Sequence, residues 1–397
     1  MFGTLLADYK HIEFTVYDEN DSIITRFRRE LRDYRELGDI INNILNDIEE
    51  DRYKIRYLGI ASEPSIIFKW SSNDIKVYGR DILTETSGKP GLLHRFSKYK
   101  YTFNSWIPGN IISHIKGSPG YMVGNINMYV INYASDNHII DASTATSFGL
   151  YDPLDLKEIN SVFKRLDIKW FNPMIYDNIA KFGYLGNTEI VVSTTISSAR
   201  IMGVGCLRKG CTLIHVDEYP HVTRVIDELI YPSRGSIPLI ILKVGDYVKY
   251  GLEISSFEKI SSPASDHITY KDVSHSKTDS DIEDAWIDIM GFKIYTLLDS
   301  VMRDFEHPPD LIYFTSSGEV CDRLIQRIAD YSGYIVAELH DTASIGLLRL
   351  IKMATLSYRF DDIYEVENAR HLYHPSIKEN ERIKLISELG KRIDKHF

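Results

Sequence analysis

Cysteine is scarce in this chain. Cys206, Cys211 and Cys321 are its three residues of that type, too few for a disulfide framework and without the paired spacing of a zinc site. Each reads as a small buried core residue. Long apolar runs are missing too, since stretches such as Leu239 to Leu242 fall far short of a membrane span. Asp8 and Lys10 interrupt the first apolar run after a few residues, so that run lacks the form of a secretory signal. Nor is there an excess of positive charge. Lys and Arg number 46 against 56 Asp and Glu, a net charge of −10, which excludes the phosphate-neutralising surface that nucleic-acid binding requires. The expectation is a soluble, cytoplasmic α/β protein with neither nucleic-acid nor membrane partners. What is present is ordinary globular material: 397 residues, 44% apolar and 26% charged, enough for two domains with a core each.

The opening reads as an antiparallel meander. Thr4 to Asp8 is short and apolar, Ile12 to Tyr17 alternates with period two, and Ser22 to Thr25 begins a third strand after the Asp18–Asp21 turn. Helical spacing follows, with Leu37, Ile40, Ile41, Ile44, Leu45 and Ile48 on one face. Strands are expected at Tyr57–Ala61, Ile66–Trp70, Ile75–Tyr78, Ile190–Val192, Thr212–Val216, Leu239–Val244, Leu311–Phe314 and Ile335–Ala337. Helices are expected in the second half of Gly120–Tyr133, over Glu158–Leu166, Trp286–Phe305 and Cys321–Tyr331, from Ala343 onward and over Glu379–His396. Ala199 to Leu207 is rich in small residues, which suits a helix packed tightly on a neighbour. The polar stretch Ser261–Asp284 reads as a long surface loop. Gly3 to Asp8 echoes Gly210 to Asp217, two glycine-led apolar strands that end at an acid. Such an echo fits a duplicated α/β core.

Several motifs fail on their spacing. Gly203-Val204-Gly205 lacks the third glycine of a dinucleotide fingerprint, and Gly88-Lys89 runs into Pro90 instead of completing a Walker loop. His371 and His374 are followed by Pro375 with no third ligand, so a surface turn is expected there. Asp279 to Asp284 starts like a calcium loop but has no glycine at its sixth position, and Met290 stands where the bidentate Glu belongs. A solvated loop is the better reading.

Two longer stretches carry more. Asp141-Ala142-Ser143-Thr144-Ala145-Thr146-Ser147 resembles the Asp-x-Ser-x-Ala-Ser-x-Thr segment of the FGGY carbohydrate kinases, the glycerol kinase and xylulokinase family. Ser316-Ser317-Gly318 with Gln326-Arg327-Ile328-Ala329-Asp330 resembles the same family's adenosine loop and following helix. Leu58 to Glu63, Met202 to Gly210, Asp341 with Gly346, and Tyr373-His374-Pro375 fit further family segments in the correct order. The resemblance therefore spans the whole chain. It implies a duplicated actin-like ATPase (ribonuclease H-like) fold, two lobes with a central cleft, divided into a sugar-side domain over 1–205 and a nucleotide-side domain with a terminal helix over 206–397. It also implies ATP and Mg²⁺ as cofactors, a sugar or polyol as ligand, phosphoryl transfer as the reaction, and admits a homodimer.

Carried residue by residue, the resemblance assigns nucleotide binding to Asp8, Lys10, Ser316, Ser317 and Gly318, metal binding to Asp8, and sugar contacts to Glu63, Trp70, Arg80 and Asp141. Alternatives stand beside several of these: strand packing for Trp70, a surface charge for Arg80, a cap or turn for Asp141, and a plain strand-to-helix turn for Ser316–Gly318. The departures point the other way. Tyr9-Lys10-His11 follows Asp8 where the family has a glycine that lets backbone approach phosphate, leaving Lys10 as a point charge. The second phosphate loop falls on Asp217-Glu218-Tyr219, where acids repel a triphosphate by about 4 kcal/mol per unit pair at 4 Å and an effective dielectric near 20. Ile196 stands where the family's catalytic Asp belongs, and no Asp occurs from Asn187 to Val216. Weak or lost activity is expected, with a non-catalytic pseudokinase as the alternative.

Overall fold

The computed structural model describes residues 1–72, 74–83, 107–115, 120–232, 235–256, 279–309, 311–318, 320–340, 342–356 and 369–393. Gly88-Lys89-Pro90, Asp341 and most of Ser261–Asp284 lie outside them. Two compact units are present. The first comprises Met1–Lys209, Val225–Leu252 and Asp341–Glu367, and the second Gly210–Arg224, Glu253–His340 and Asn368–Phe397.

In the first unit the N-terminal meander forms as expected: β1 (Phe2–Ala7), β2 (His11–Tyr17) and β3 (Ile23–Glu30), the last running well beyond Thr25. Helix α1 (Leu37–Glu49) buries the six aliphatic residues that its period selects. Strand β4 (Tyr57–Ser62) lies parallel to β1, and the hairpin β5 (Ile67–Trp70) and β6 (Ile75–Tyr78) follows. Helix α2 (Pro108–Ile115), β7 (Met122–Asn125) and α3 (Ile126–Ser135) come next, then β8 (Ile139–Asp141), α4 (Ala142–Ser147) and α5 (Asn160–Leu166). Strand β9 (Met174–Tyr176) pairs with β8, and β10 (Ile179–Leu185) with β11 (Thr188–Thr195). The six-stranded sheet has the order β10-β11-β4-β1-β2-β3. Its central strands β11, β4 and β1 are parallel and reach their carboxyl ends in register at Thr195, Ser62 and Ala7.

Helix α6 (Ile196–Val204) leaves β11 directly and closes at Gly205 in the left-handed region, φ 75°. In the second unit β12 (Thr212–Val216) lies antiparallel to β13 (His221–Ile226). Strand β14 (Ile237–Val244) and most of β15 (Tyr247–Ser255) follow in the chain and belong to the first unit. Helix α7 covers Asp279–Met302, so the expected solvated loop at Asp279–Asp284 is the opening of a helix; four acids among its first six residues suit a helix N-terminus. Strand β16 (Leu311–Ser316) is parallel to β12, and α8 (Asp322–Ser332) and β17 (Ile335–Glu338) follow. The chain then supplies α9 (Ala343–Thr355) to the first unit and β18 (His371–Tyr373) and α10 (Glu379–Ile393) to the second. His371 is thus in a strand paired with β17 and not in a turn, because Glu338, Ala337 and Val336 offer it an edge. The cysteine reading holds for the burial of Cys206 and is otherwise corrected: Cys206 and Cys211 are disulfide-bonded, and Cys321 is free and exposed.

The Gly3 and Gly210 echo has a topological meaning. Each of β1 and β12 is paired antiparallel to the next strand and parallel to a later one, β4 and β16 respectively. This is one arrangement used twice.

The small-residue helix does pack tightly. Helix α9 crosses α6 so closely that a Cβ on Gly203 would meet the Thr342 carbonyl, and one on Gly346 would meet the Ala199 carbonyl. Both obstacles are backbone and cannot swing aside. Arg349 Nη1 donates to the carbonyls of Met202 (2.8 Å) and Gly203 (2.9 Å) and so caps the end of α6. Gly203→Ala and Gly346→Ala are each expected to cost about 3 kcal/mol by overpacking, read as a lower urea midpoint. Gly318→Ala, whose added methyl meets open space, should stay within about 0.5 kcal/mol.

Candidate functional site

In an open α/β sheet, ligand chemistry gathers at the carboxyl ends of the parallel strands. In the first unit those ends deliver Asp8, Glu63 and Ile196 immediately after β1, β4 and β11. The Glu63 N–H donates to the Ala7 carbonyl at 2.9 Å, which fixes the first two side by side.

Asp8 turns the chain from β1 into β2. Its Oδ1 accepts the N–H groups of Lys10 (2.8 Å) and His11 (2.7 Å), an Asx-type turn, and the Asp8 N–H donates to the His11 carbonyl. Its Oδ2 faces Nη2 of Arg200 at 3.5 Å, with both residues almost wholly buried. Burial pushes the Asp8 carboxyl up, but the hydrogen bond from His11 and then the charge of Arg200 outweigh it and hold it below its usual 3.8. Arg200 is the one charged residue of α6. Its isolation in a small-residue helix is the signal by which the sequence could have revealed it.

Glu63 and Arg80 come together. Arg80 Nη2 lies 3.4 Å from Glu63 Oε1, Arg80 Nε donates to Ser65 Oγ at 3.0 Å, and Ser65 Oγ donates to Glu63. Arg80 is 3% exposed, so it is not the surface charge that stood as its alternative. Tyr9 joins the group: its hydroxyl donates to the Ser65 carbonyl and accepts the Arg80 N–H at 3.2 Å. The bulky residue after Asp8 is therefore part of the wiring.

Trp70 takes a different setting. Its Nε1 donates to Asn132 Oδ1 at 2.9 Å, and its ring meets Tyr129 and His138 edge-on. Burial lowers the pKa of His138, whose Nε2 donates to the Val123 carbonyl. Asp141 caps α4 and gathers five donors: Ser143 Oγ, Thr144 N and Asn178 Nδ2 on Oδ1, Thr144 Oγ1 and Ser193 Oγ on Oδ2. Both oxygens are saturated, an arrangement that supports the capping alternative. Asn178 extends this network to β14 by accepting the Lys243 N–H at 2.8 Å.

Ile196 is buried at the start of α6, capped by Thr195, whose Oγ1 accepts the Ser198 N–H. An aliphatic side chain there takes no proton.

The second unit repeats the motif. Asp217 ends β12, and its Oδ1 accepts the Tyr219 N–H at 2.7 Å, two residues on, just as Asp8 accepts from Lys10. His215 Nε2 lies 3.7 Å from Oδ2 and His221 Nε2 3.8 Å from Oδ1, all three residues buried. Asp217 is thus an enclosed acid between imidazoles and not a bare charge on an open tip. The alternation His215–Asp217 along a strand carries that signal in sequence. Ser316 ends β16, and its Oγ donates to the Gly318 carbonyl at 2.6 Å, while the Ser317 N–H donates to the Val216 carbonyl. This turn precedes α8.

A divalent cation does not fit at Asp8, because two backbone N–H groups occupy one oxygen and a guanidinium faces the other. Among the described residues, no group of three or more His, Cys, Asp or Glu side chains could hold a metal ion, and no helix is long and apolar enough to cross a membrane.

No protein-family model and no curated protein matches the chain. Solved structures do match over its full length. Plasmodium falciparum glycerol kinase with ADP aligns at TM-score 0.77 and 16% identity, over 100% of this chain and 98% of that one. Ligand-bound xylulose kinase from Lactobacillus acidophilus aligns at 0.77 and 13%, over 100% and 98%. Gluconate kinase from the same organism aligns at 0.77 and 13%, over 99% and 97%. The chain has the sugar-kinase fold. That fold is of the two-domain actin-like ATPase type, in which the sugar-kinase likeness expected from Asp141–Ser147 and Ser316–Asp330 finds its counterpart.

Asp8 stabilises the sugar-kinase fold in a pH-dependent way. Its folded pKa lies below the unfolded one, so its contribution is present above about pH 4 and is lost as pH falls through the folded value. The gap in melting temperature between the wild type and Asp8→Asn should therefore narrow below about pH 4. Asp141→Ala strands five donors and should cost about 3 kcal/mol, measured by urea unfolding.

Proposed function

We propose that this chain is a carbohydrate-kinase homologue, of the FGGY kind by resemblance, in which ATP-dependent phosphoryl transfer to a sugar or polyol hydroxyl is weak or lost. One observation carries the reading: at the carboxyl edge of the first sheet, Asp8 is tied to backbone N–H groups and Arg200, while Ile196 follows β11 in the same parallel array. A positioned base is worth roughly 10²- to 10⁴-fold, and electrostatic stabilisation of the transferring phosphoryl usually contributes more. Both contributions are weakened in this arrangement.

Residue roles follow the same reading. Ser316, Ser317 and Gly318 are the candidate adenosine contacts, Lys10 a candidate phosphate contact, and Glu63 with Arg80 the candidate sugar contacts. Along the sequence we divide the duplication at 205/206, with Val225–Leu252 and Asp341–Glu367 returning to the first compact unit. The protein works in the cytoplasm, and a homodimer is compatible with it. A second reading, a non-catalytic pseudokinase that binds a sugar, a nucleotide or a protein partner, is favoured by the Asp8–Arg200 pair, which supplies internally a positive charge beside that carboxylate.

A coupled assay with ATP and Mg²⁺ across pentoses, hexoses, gluconate and glycerol should give turnover at least about a hundred-fold below the ordinary enzyme range of 1–10³ s⁻¹. Calorimetric titration should find no millimolar binding of ATP with Mg²⁺. Ile196→Asp should remain inactive, because the Asp8 environment is unchanged by it. Robust product from the unaltered protein with any of these sugars overturns the proposal.

A further inference from the structure

The chain's three cysteines divide two to one: Cys206 and Cys211 are disulfide-bonded, and Cys321 is free. The bonded two are therefore each other's partners. Their bridge closes a six-residue ring, Cys206-Leu207-Arg208-Lys209-Gly210-Cys211, in the connection from α6 to β12.

Neither end of the ring needs the bridge to keep its form. Helix α6 closes on its own backbone: beyond Gly205, the Cys206 N–H donates to the Ile201 carbonyl at 3.0 Å, and the Gly205 N–H to that of Met202 at 3.3 Å. Arg349 covers the Met202 and Gly203 carbonyls besides. At the other end β12 is paired on both sides, with β13 and with β16. A ring this short also removes little freedom from an unfolded chain. The bridge is thus an addition to a fold that other contacts already hold.

The ring itself is uneven. Cys206 is 1% exposed and Leu207 is fully buried, whereas Arg208 and Lys209 are exposed and Cys211 is half-buried. Positive charge gathers at the more open cysteine. Arg208 and Lys209 lie within three residues of it, and Arg224 Nη2 comes within 3.5 Å of the point that a Cβ on Gly210 would occupy. Neighbouring cations favour thiolate over thiol. One reachable sulfur in an electropositive setting, bonded to one enclosed sulfur, is the arrangement that exchange chemistry uses: the open sulfur meets the incoming thiolate and the enclosed one leaves and returns.

We propose that Cys206 and Cys211 form a reversible thiol–disulfide exchange site whose reactant is a dithiol. A thiolate of the dithiol attacks Cys211 Sγ, the Cys206–Cys211 bond breaks, and a mixed disulfide forms at Cys211. Cys206 Sγ leaves with the electron pair and takes up a proton. The second sulfur of the dithiol then attacks the first, which frees Cys211 Sγ and closes the reagent into a cyclic disulfide. Two electrons and the two thiol protons have passed to the cysteine pair. Opening the ring releases Leu207–Gly210 while α6 and β12 stay formed.

The test uses the full-length chain carrying Cys321→Ser, so that Cys206 and Cys211 are the thiols counted. Without denaturant, dithiothreitol at about 1 mM should expose both cysteines to iodoacetamide within minutes, read by mass spectrometry, and glutathione disulfide should restore the bridge. Cooperative melting should persist in the reduced form. Trypsin should cut after Arg208 or Lys209 about ten-fold faster in the reduced protein than in the oxidised one, since an opened segment is cleaved in proportion to its opening. The C206A/C211S double variant should be cut at the reduced rate whether or not dithiothreitol is present. A bridge that yields to dithiothreitol only in urea would overturn the proposal and make the bond a permanent staple. Loss of cooperative melting on reduction, or equal cutting of the oxidised and reduced protein, would overturn it too; these arms use no cysteine variant at the bridge and so stand even where the double variant does not fold.

Discussion

Two helices that touch backbone to backbone hold the first unit in its working arrangement. At the crossing of α6 and α9, Gly203 and Gly346 leave no room for a single added carbon. Everything near the strand ends follows from that contact. It sets the depth of α6 beneath the sheet, and so the height at which Arg200 meets Asp8. It also brings Arg349 over the last carbonyls of α6, where a cation is worth a few tenths to about one kcal/mol and satisfies groups that would otherwise be orphaned. The small residues of α6 are there to permit approach, and the one large charged residue among them is there because approach makes a buried partner available.

Asp8 and Asp217 show what the duplicated architecture preserves. Each ends the first strand of its unit, and each spends one carboxylate oxygen on the N–H two residues ahead. The turn is thus stabilised by its own acid, without glycine. What differs is the company each acid keeps, a guanidinium beside the other oxygen of Asp8 and two imidazoles about Asp217. In both cases those neighbours are protein side chains already in place. An acid that is compensated in this way contributes to stability and has little field left with which to attract an external ion.

Much of this is readable in the chain before folding. Period-two alternation locates β2, short apolar runs locate β1 and β4, which are buried on both faces, and the aliphatic stripe locates α1, which buries one face. The Gly3 and Gly210 echo identifies equivalent strands. Strand β3 reads too short, because Arg26, Arg28 and Arg29 give no apolar alternation; its partner β2 imposes the conformation. Strands β8, β9 and β18 have three residues each, below the length at which any period can register. Asp279–Asp284 reads as a loop because its acids are polar throughout, although acids at a helix start are favourable. At the site, Asp8, Glu63 and Arg80 stand out in sequence, whereas Arg200, Ser65 and Tyr9 do not. Their roles depend on contacts across long stretches of chain, of which local spacing carries no trace. Asp141 is legible in kind, since an acid three residues before Thr144 N–H is a cap by local chemistry alone.

The hydroxyl of Ser344 meets Thr4 at 2.9 Å and Tyr17 at 2.6 Å, a span of 340 residues in the first case. Helix α9 is thus synthesised long after the sheet it covers. A nascent chain that has emerged only as far as β17 holds β1 and β4 with Gly59 bare of Ile351, and α6 without its capping arginine. Completion of the first unit has to wait until α9 has been made, which makes its maturation a long-range closure.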